Sequence, residues 1–182
     1  MEIIKTPISD LFIIKPRVFE DTRGFFCETY NQKDYSDAGI DLHFCQDNQS
    51  KSSYGVIRGL HYQLNPNSQS KLVSVVKGAV WDVAVDLRKD SSTFGQWYGV
   101  ELTEENHLQF LVPQGFAHGF SVLSETAVFT YKCDDFYSPT LERGIMYNDP
   151  TLAIDWKIPA DKAIISEKDT KHPFLKDAEL NF

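Results

Sequence analysis

The chain has 182 residues and a formal net charge of −8. That length suffices for one substantial core, and the acidity argues against a general nucleic-acid binder, which needs a basic face. Hydrophobic residues at 42% and charged residues at 24% are ordinary for a soluble globular protein, and no apolar run approaches the ~20 residues of a membrane-spanning helix. Cys27, Cys45 and Cys133 are an odd number, widely spaced, with no C-x-x-C pattern. They are expected to be buried small hydrophobes. The opening Met-Glu-Ile-Ile-Lys lacks the apolar region of a secretory leader. A reduced, cytoplasmic protein is the expectation.

Residues 3–19 read as strand, in apolar runs punctuated by Pro7 and Pro16. Asp21 to Gly24 is a turn, the strand resumes from Phe25 to Tyr30, and residues 31–42 predict one short helix ending at Gly39. Phe44 to Ser50 is extended. The stretch Gly55, Val56, Ile57, Arg58, Gly59, Leu60, His61 reads as an Arg-Gly-Leu turn that delivers a histidine to a loop mouth, followed by a polar loop over 65–70. From 71 to 133 the chain is nearly all strand and turn, with runs at 71–76, 81–87, 97–102, 108–112, 117–123 and 126–133. Within 81–87, Trp81, Val83, Val85 and Leu87 face one way, and Asp82, Ala84 and Asp86 the other. Asp82 either pairs with His118 or Lys71 or lies on an exposed strand face. From about 139 the chain is looser, with several prolines and one or two short helical turns. Turn signals at about ten-residue spacing predict a mainly β fold, an antiparallel sandwich or barrel with a few short helices. One domain over 1–182 is expected: short N-terminal strands over 1–30, a barrel over about 43–150, and a tail over 151–182.

Two spacings carry more specific information. Gly55 is followed after five residues by His61, and Lys71 after six by Gly78; later come Pro113, Gly115 and His118. They resemble the two-part signature of the cupin superfamily of small β-barrels, G-x5-H-x-H-x3-4-E-x6-G and P-x-G-x2-H. The departures are informative. Gln63 stands where a metal-binding cupin has its second histidine, and Lys71, after a longer insertion, where it has glutamate. A charged lysine carries only donors, and two histidines are too few for an ordinary protein-bound metal. No metal is expected; the lysine takes its place.

Within that superfamily the chain resembles the dTDP-4-dehydrorhamnose 3,5-epimerase family. The matching stretches, over about residues 17 to 173, are 21–26, 46–48, 55–63, 93–97, 113–120, 131–132, 137–139, Trp156 and 166–169. The resemblance implies a cupin-type jelly roll, a homodimer, no cofactor, and a dTDP-linked 4-keto-6-deoxy sugar as substrate. Protons at C3 and C5 of such a sugar are acidic because the C4 ketone takes up the carbanion's charge as an enolate. The reaction needs a base, an electrophile at the C4 oxygen, and an acid on the opposite face. By resemblance His61 is the base, oriented by Asp169; Tyr131 is the acid, and Lys71 stabilises the enolate. Arg23, Phe25, Glu28, Gln46, Asn48, Arg58, His118, Glu142 and Lys168 match positions that hold the nucleotide diphosphate and sugar, and Tyr137 the residue that stacks on thymine.

Plainer readings stand beside these. Lys71 fits a strand-edge charge, Tyr131 and His118 fit core positions, and Ser166 to Asp169 fits a capping box. His43, His107 and His172 carry no motif. Three other functions fit the same residues less fully: an epimerase inverting only C3 or only C5, a metal-dependent cupin enzyme, and a non-catalytic sugar-nucleotide-binding module.

Overall fold

Apolar residues at every second position, broken by turn residues, leave this chain as strands, and the computed structural model describes all of residues 1–182. In chain order the strands are β1 (Glu2–Lys5), β2 (Phe12–Lys15), β3 (Val18–Asp21), β4 (Gly24–Cys27), β5 (Gln46–Ser53), β6 (Val56–Gln63), β7 (Lys71–Lys77), β8 (Ala79–Asp86), β9 (Trp97–Thr103), β10 (Gln109–Val112), β11 (Phe116–Val122), β12 (Thr126–Cys133), β13 (Glu142–Gly144) and β14 (Ile164–Ile165). The single α-helix, α1 (Gln32–Asp37), starts at Asn31, whose side chain accepts from the Lys33 amide. Gly39, at φ +85°, ends it.

Two sheets face each other as a cupin-type jelly roll. One runs β1-β2-β10-β7-β12-β5, the other β13-β6-β11-β8-β9 with β14 added in parallel to β6; β3 and β4 form a separate hairpin. Between the sheets lies a core of 16 buried residues, among them Val73, Phe110, Phe120 and Phe129. Phe110 and Phe129 keep at most 1% of their surface exposed, and each contributes about 2–3 kcal/mol by leaving water. A second core of 12 residues fills the outer face of β6, β8 and β11, where Ile145, Leu152, Trp156 and Leu175 of the C-terminal tail cover it. A third, smaller cluster packs Tyr35 and Ile40 against Ile14, Leu72 and Leu111 on the outer face of the first sheet.

The alternation expected along 81–87 holds, but the face of Asp82 is not solvent-exposed. Asp82, Ala84 and Asp86 have no exposed surface, because that side of β8 is the inside of the sandwich. The Arg-Gly-Leu segment is no turn either. It lies within β6, and Gly59 is required by a neighbouring strand: an added Cβ would sit 2.6 Å from the His118 carbonyl and 2.7 Å from Gly119 Cα, at a backbone φ of +112°. The β6–β11 register slips at this crossing, between His118 and Phe120. The tail carries three 3-10 turns, at Ala160–Lys162, Asp169–Lys171 and Leu175–Asp177. Of the cysteines only Cys133 is buried; Cys27 is half-buried and Cys45 exposed, so the expected burial of all three fails outside the sandwich. No helix is long and apolar enough to cross a membrane.

Candidate active site

His61 lies two residues before the end of β6, cross-strand from His118 on β11 and from Gly144 on β13. Its Nε2 is 2.7 Å from Asp169 Oδ1, and its side chain keeps 30% of its surface exposed, so one edge of the ring is held and the other is open. Asp169 comes from the tail, 108 residues later. The Ser166 hydroxyl caps the Asp169 amide at 3.1 Å, which frees the Asp169 carboxylate to reach the barrel. Of the expected capping box only the Ser166 half forms, because the Asp169 carboxylate is taken by His61 and the Gly59 amide. Burial raises the Asp169 pKa, but the hydrogen bond from His61, the histidine's charge, the Gly59 amide and His172 outweigh it and hold the carboxyl at about 2. Asp169 is ionised across the neutral range.

Glu142, at the start of β13, ties the neighbouring groups together. It accepts from the Tyr137 hydroxyl at 2.8 Å and pairs with Lys168 at 2.5 Å. Burial raises its pKa, yet Lys168, Tyr137 and the charge of His61 bring it below the usual carboxylate value. Its charge is also felt at Lys71 and Tyr131. Gln46 donates to Asn48 at 3.0 Å and accepts from the Tyr137 amide at 3.1 Å. Asn48 in turn pairs across the sheet with Tyr131. Arg58 donates to Ser52 and lies close enough to Tyr131 to lower its pKa, against burial and the charge of Cys133, which push it up. Tyr131 keeps its proton at neutral pH.

Below these groups the interior holds titratable side chains. His118 Nε2 is 2.8 Å from Asp82 Oδ1, both buried, with the His118 ring stacked along Phe129. Asp82 Oδ2 has no hydrogen-bond partner. Lys71 opens β7, which is paired on both sides by β10 and β12, so it is no strand-edge lysine. Burial lowers its pKa, and Cys133, Asp82 and Glu142 partly restore it. Burial raises that of Asp82 against the pull of His118 and Lys71.

The structure thus gathers His61, Asp169, Lys71, Tyr131, Gln46, Asn48, Arg58, His118, Tyr137, Glu142 and Lys168 around one end of the sandwich. A cavity of 370 Å³ opens beside His61 and Asp169, bordered by Arg58 and Lys168. Arg23, Phe25 and Glu28 stand apart on and just after the β3–β4 hairpin. Arg23 pairs only with Asp21, Phe25 packs on His107, and Glu28 accepts from Asn31. A wider concavity, 480 Å³, lies beside that hairpin and meets the other group only through Asn48 and Tyr131. The smaller one holds the paired carboxylate and imidazole. One residue without a motif joins the group: the His172 ring lies edge-on to His61, centroids 5.6 Å apart, with Nε2 3.4 Å from Asp169 Oδ1. His61, Asp169 and His172 are the one cluster with metal-ligating atoms in reach of each other. A 2.7 Å Nε2–Oδ1 separation is shorter than the roughly 3.3 Å between two ligand atoms on a tetrahedral zinc; it is a hydrogen bond.

The chain matches the model of the dTDP-4-dehydrorhamnose 3,5-epimerase family over residues 5–177. It is 52% identical to the dTDP-4-dehydrorhamnose 3,5-epimerase of Shigella flexneri over 98% of each chain. The crystal structure of the Elizabethkingia anophelis dTDP-4-dehydrorhamnose 3,5-epimerase superposes with a TM-score of 0.94 at 59% identity, covering 97% of both chains. The dTDP-6-deoxy-D-glucose-3,5-epimerase of Legionella pneumophila, solved in complex with dTDP-4-keto-L-rhamnose, gives 0.93 at 51%, covering 97% of this chain and 93% of that one.

Proposed function

Because the chain belongs to the dTDP-4-dehydrorhamnose 3,5-epimerase family, we propose that the cluster around His61 is its active site and that the N-terminal hairpin completes the site of a second copy. The enzyme is an isomerase of dTDP-rhamnose synthesis. It inverts C3 and C5 of dTDP-4-dehydro-6-deoxy-D-glucose to give dTDP-4-dehydro-L-rhamnose.

In this reading, the open edge of the His61 ring takes the proton from carbon next to the C4 ketone, and ionised Asp169 stabilises the imidazolium that forms. The electron pair moves to the C4 oxygen, where the Lys71 ammonium offsets the enolate charge. The Tyr131 hydroxyl, kept protonated by burial, returns a proton to the opposite face. Tyr137, 53% exposed at the rim, offers a flat surface to the thymine. Arg58 and Lys168 supply positive charge for the diphosphate. The reading carries a homodimer in the cytoplasm, with no cofactor invoked. It rests above all on the 2.7 Å contact between His61 and a carboxylate held at about 2.

The test is NMR of the dTDP-4-keto sugar in D2O. Deuterium should enter at C3 and C5 with the native enzyme and at neither with His61→Asn. Entry at one carbon only would make it a single-centre epimerase. Undiminished exchange in His61→Asn would remove the histidine from the role of base.

A further inference from the structure

His172 is a buried titratable group that the mechanism leaves unused. It closes the Asp169–Lys171 turn, its side chain is 13% exposed, and its Nε2 is buried with no hydrogen-bond partner. A buried donor without a partner costs free energy, so the position calls for an explanation. The ring lies flat on Gly144: a Cβ there would meet Nε2, Cδ2 and Cε1 at 2.4, 2.5 and 2.6 Å. Gly144 in turn pairs in register with His61. The two imidazoles therefore approach one carboxylate oxygen from two sides, His61 at 2.7 Å and His172 at 3.4 Å.

We propose that His172 is a positioning residue: a neutral imidazole whose Nε2–H shares Asp169 Oδ1 with His61, fixes the carboxylate's orientation and tempers the basicity it confers on His61. The groups facing His61 are Asp169 and His172 from the turn and Glu142 from β13, with Lys168 held on Glu142; those facing His172 are His61, Asp169 and Lys168. Burial, and then the charge of His61, push the His172 pKa down, while Asp169 pulls the other way. A charged His172 would place two cations on one oxygen and oppose protonation of the base. Kept neutral, it adds a donor without that repulsion. The 3.4 Å separation is long for a hydrogen bond, as contacts of a catalytic group often are before substrate arrives.

The inference rests on His61 as the base, so exchange in D2O by the native enzyme and its loss in His61→Asn are measured alongside. His172→Phe keeps an aromatic ring on Gly144 and deletes the donor. With Asp169 left to His61 alone, the acid limb of kcat/KM for deuterium exchange should move to higher pH by about half a unit, the size expected for losing one weak neutral donor. His172→Gln, which returns an N–H to the same place, should bring the limb back. If His172→Phe lowers activity or thermal stability but leaves the limb where it was, the histidine is only filling space and the proposal is overturned. A limb that moves equally in His172→Gln also overturns it, since the donor would then be irrelevant.

Discussion

At the scale of single residues, the proposed mechanism turns on Lys71. Its ammonium is taken from water at the head of β7, which lowers its pKa, and the Asp82 and Glu142 carboxylates oppose that fall. A cation so placed is preorganised, and it serves most when negative charge appears on the C4 oxygen. Its contribution is therefore larger in the transition state than in the ground state. Lys71→Met should lower turnover at saturating substrate on the order of 10²–10³-fold, the usual loss for one oxyanion donor. Rapid-quench turnover and exchange at C3 and C5 check this; exchange at the native rate would leave the lysine a phosphate contact only. Such a residue is legible in sequence because its cupin spacing to Gly78 sets it apart from other lysines. His172 was not. Its meaning depends on room above Gly144, 28 residues earlier, and on a carboxylate that turns toward β6 only when the tail folds back. Asp82 was legible only in part, since alternation distinguishes two faces of a strand without saying that both are buried.

Among the elements, β6 does more than carry His61. Gln63, two residues after His61 and 5% exposed, donates to the carbonyls of Asn67 at 2.6 Å and Phe136 at 3.2 Å, and accepts from the Ser138 amide at 2.7 Å. One side chain thereby joins the loop after β6 to the loop after β12, which presents Tyr137. Where a metal cupin has a ligand, this chain has a bracket. Gln63→Ala would leave the Phe136 carbonyl and the Ser138 amide short of a buried partner, at about 1–3 kcal/mol each if water does not replace it. The expected result is a lower melting temperature and a KM raised several-fold with turnover little changed, because the role proposed for Tyr137 is on the thymine, far from C3 and C5. Calorimetry and steady-state kinetics separate the two; a fall in turnover with KM unchanged would mean that Gln63 acts on His61 instead. Most strands of the two sheets were readable from apolar runs and turn signals, but β13 and β14 lie in the stretch that reads as a loose tail. The nature of β6 was not readable either, because Arg58-Gly59-Leu60 has turn chemistry and its glycine answers to Gly119 on the neighbouring strand.

For the whole molecule, the N-terminal hairpin is unfinished as a single copy. A two-stranded sheet is marginal without a surface to pack on, yet Phe19, Phe25 and Phe26 are 48%, 61% and 66% exposed, and the Arg23 side chain 87%. Beside it the outer face of the first sheet offers the 480 Å³ concavity, with Val76 60% exposed on its wall. A second copy placing its hairpin across this face would bury the phenylalanines and carry Arg23, with Glu28 beside it, toward the open end of its neighbour, where the Arg23 guanidinium meets an anionic substrate. Two-fold symmetry then makes the exchange reciprocal. The consequence is testable by mixing. Arg23→Ala and His61→Ala should each be inactive or nearly so alone. In a mixed dimer with shared sites, one site receives an intact His61 from one chain and an intact Arg23 from the other, while the second site takes both defects. Activity should therefore return on co-refolding, in proportion to the fraction of mixed dimers isolated by two different affinity tags. If verified mixed dimers stay inactive, each site is built from one chain, and Arg23 acts, if at all, within its own copy.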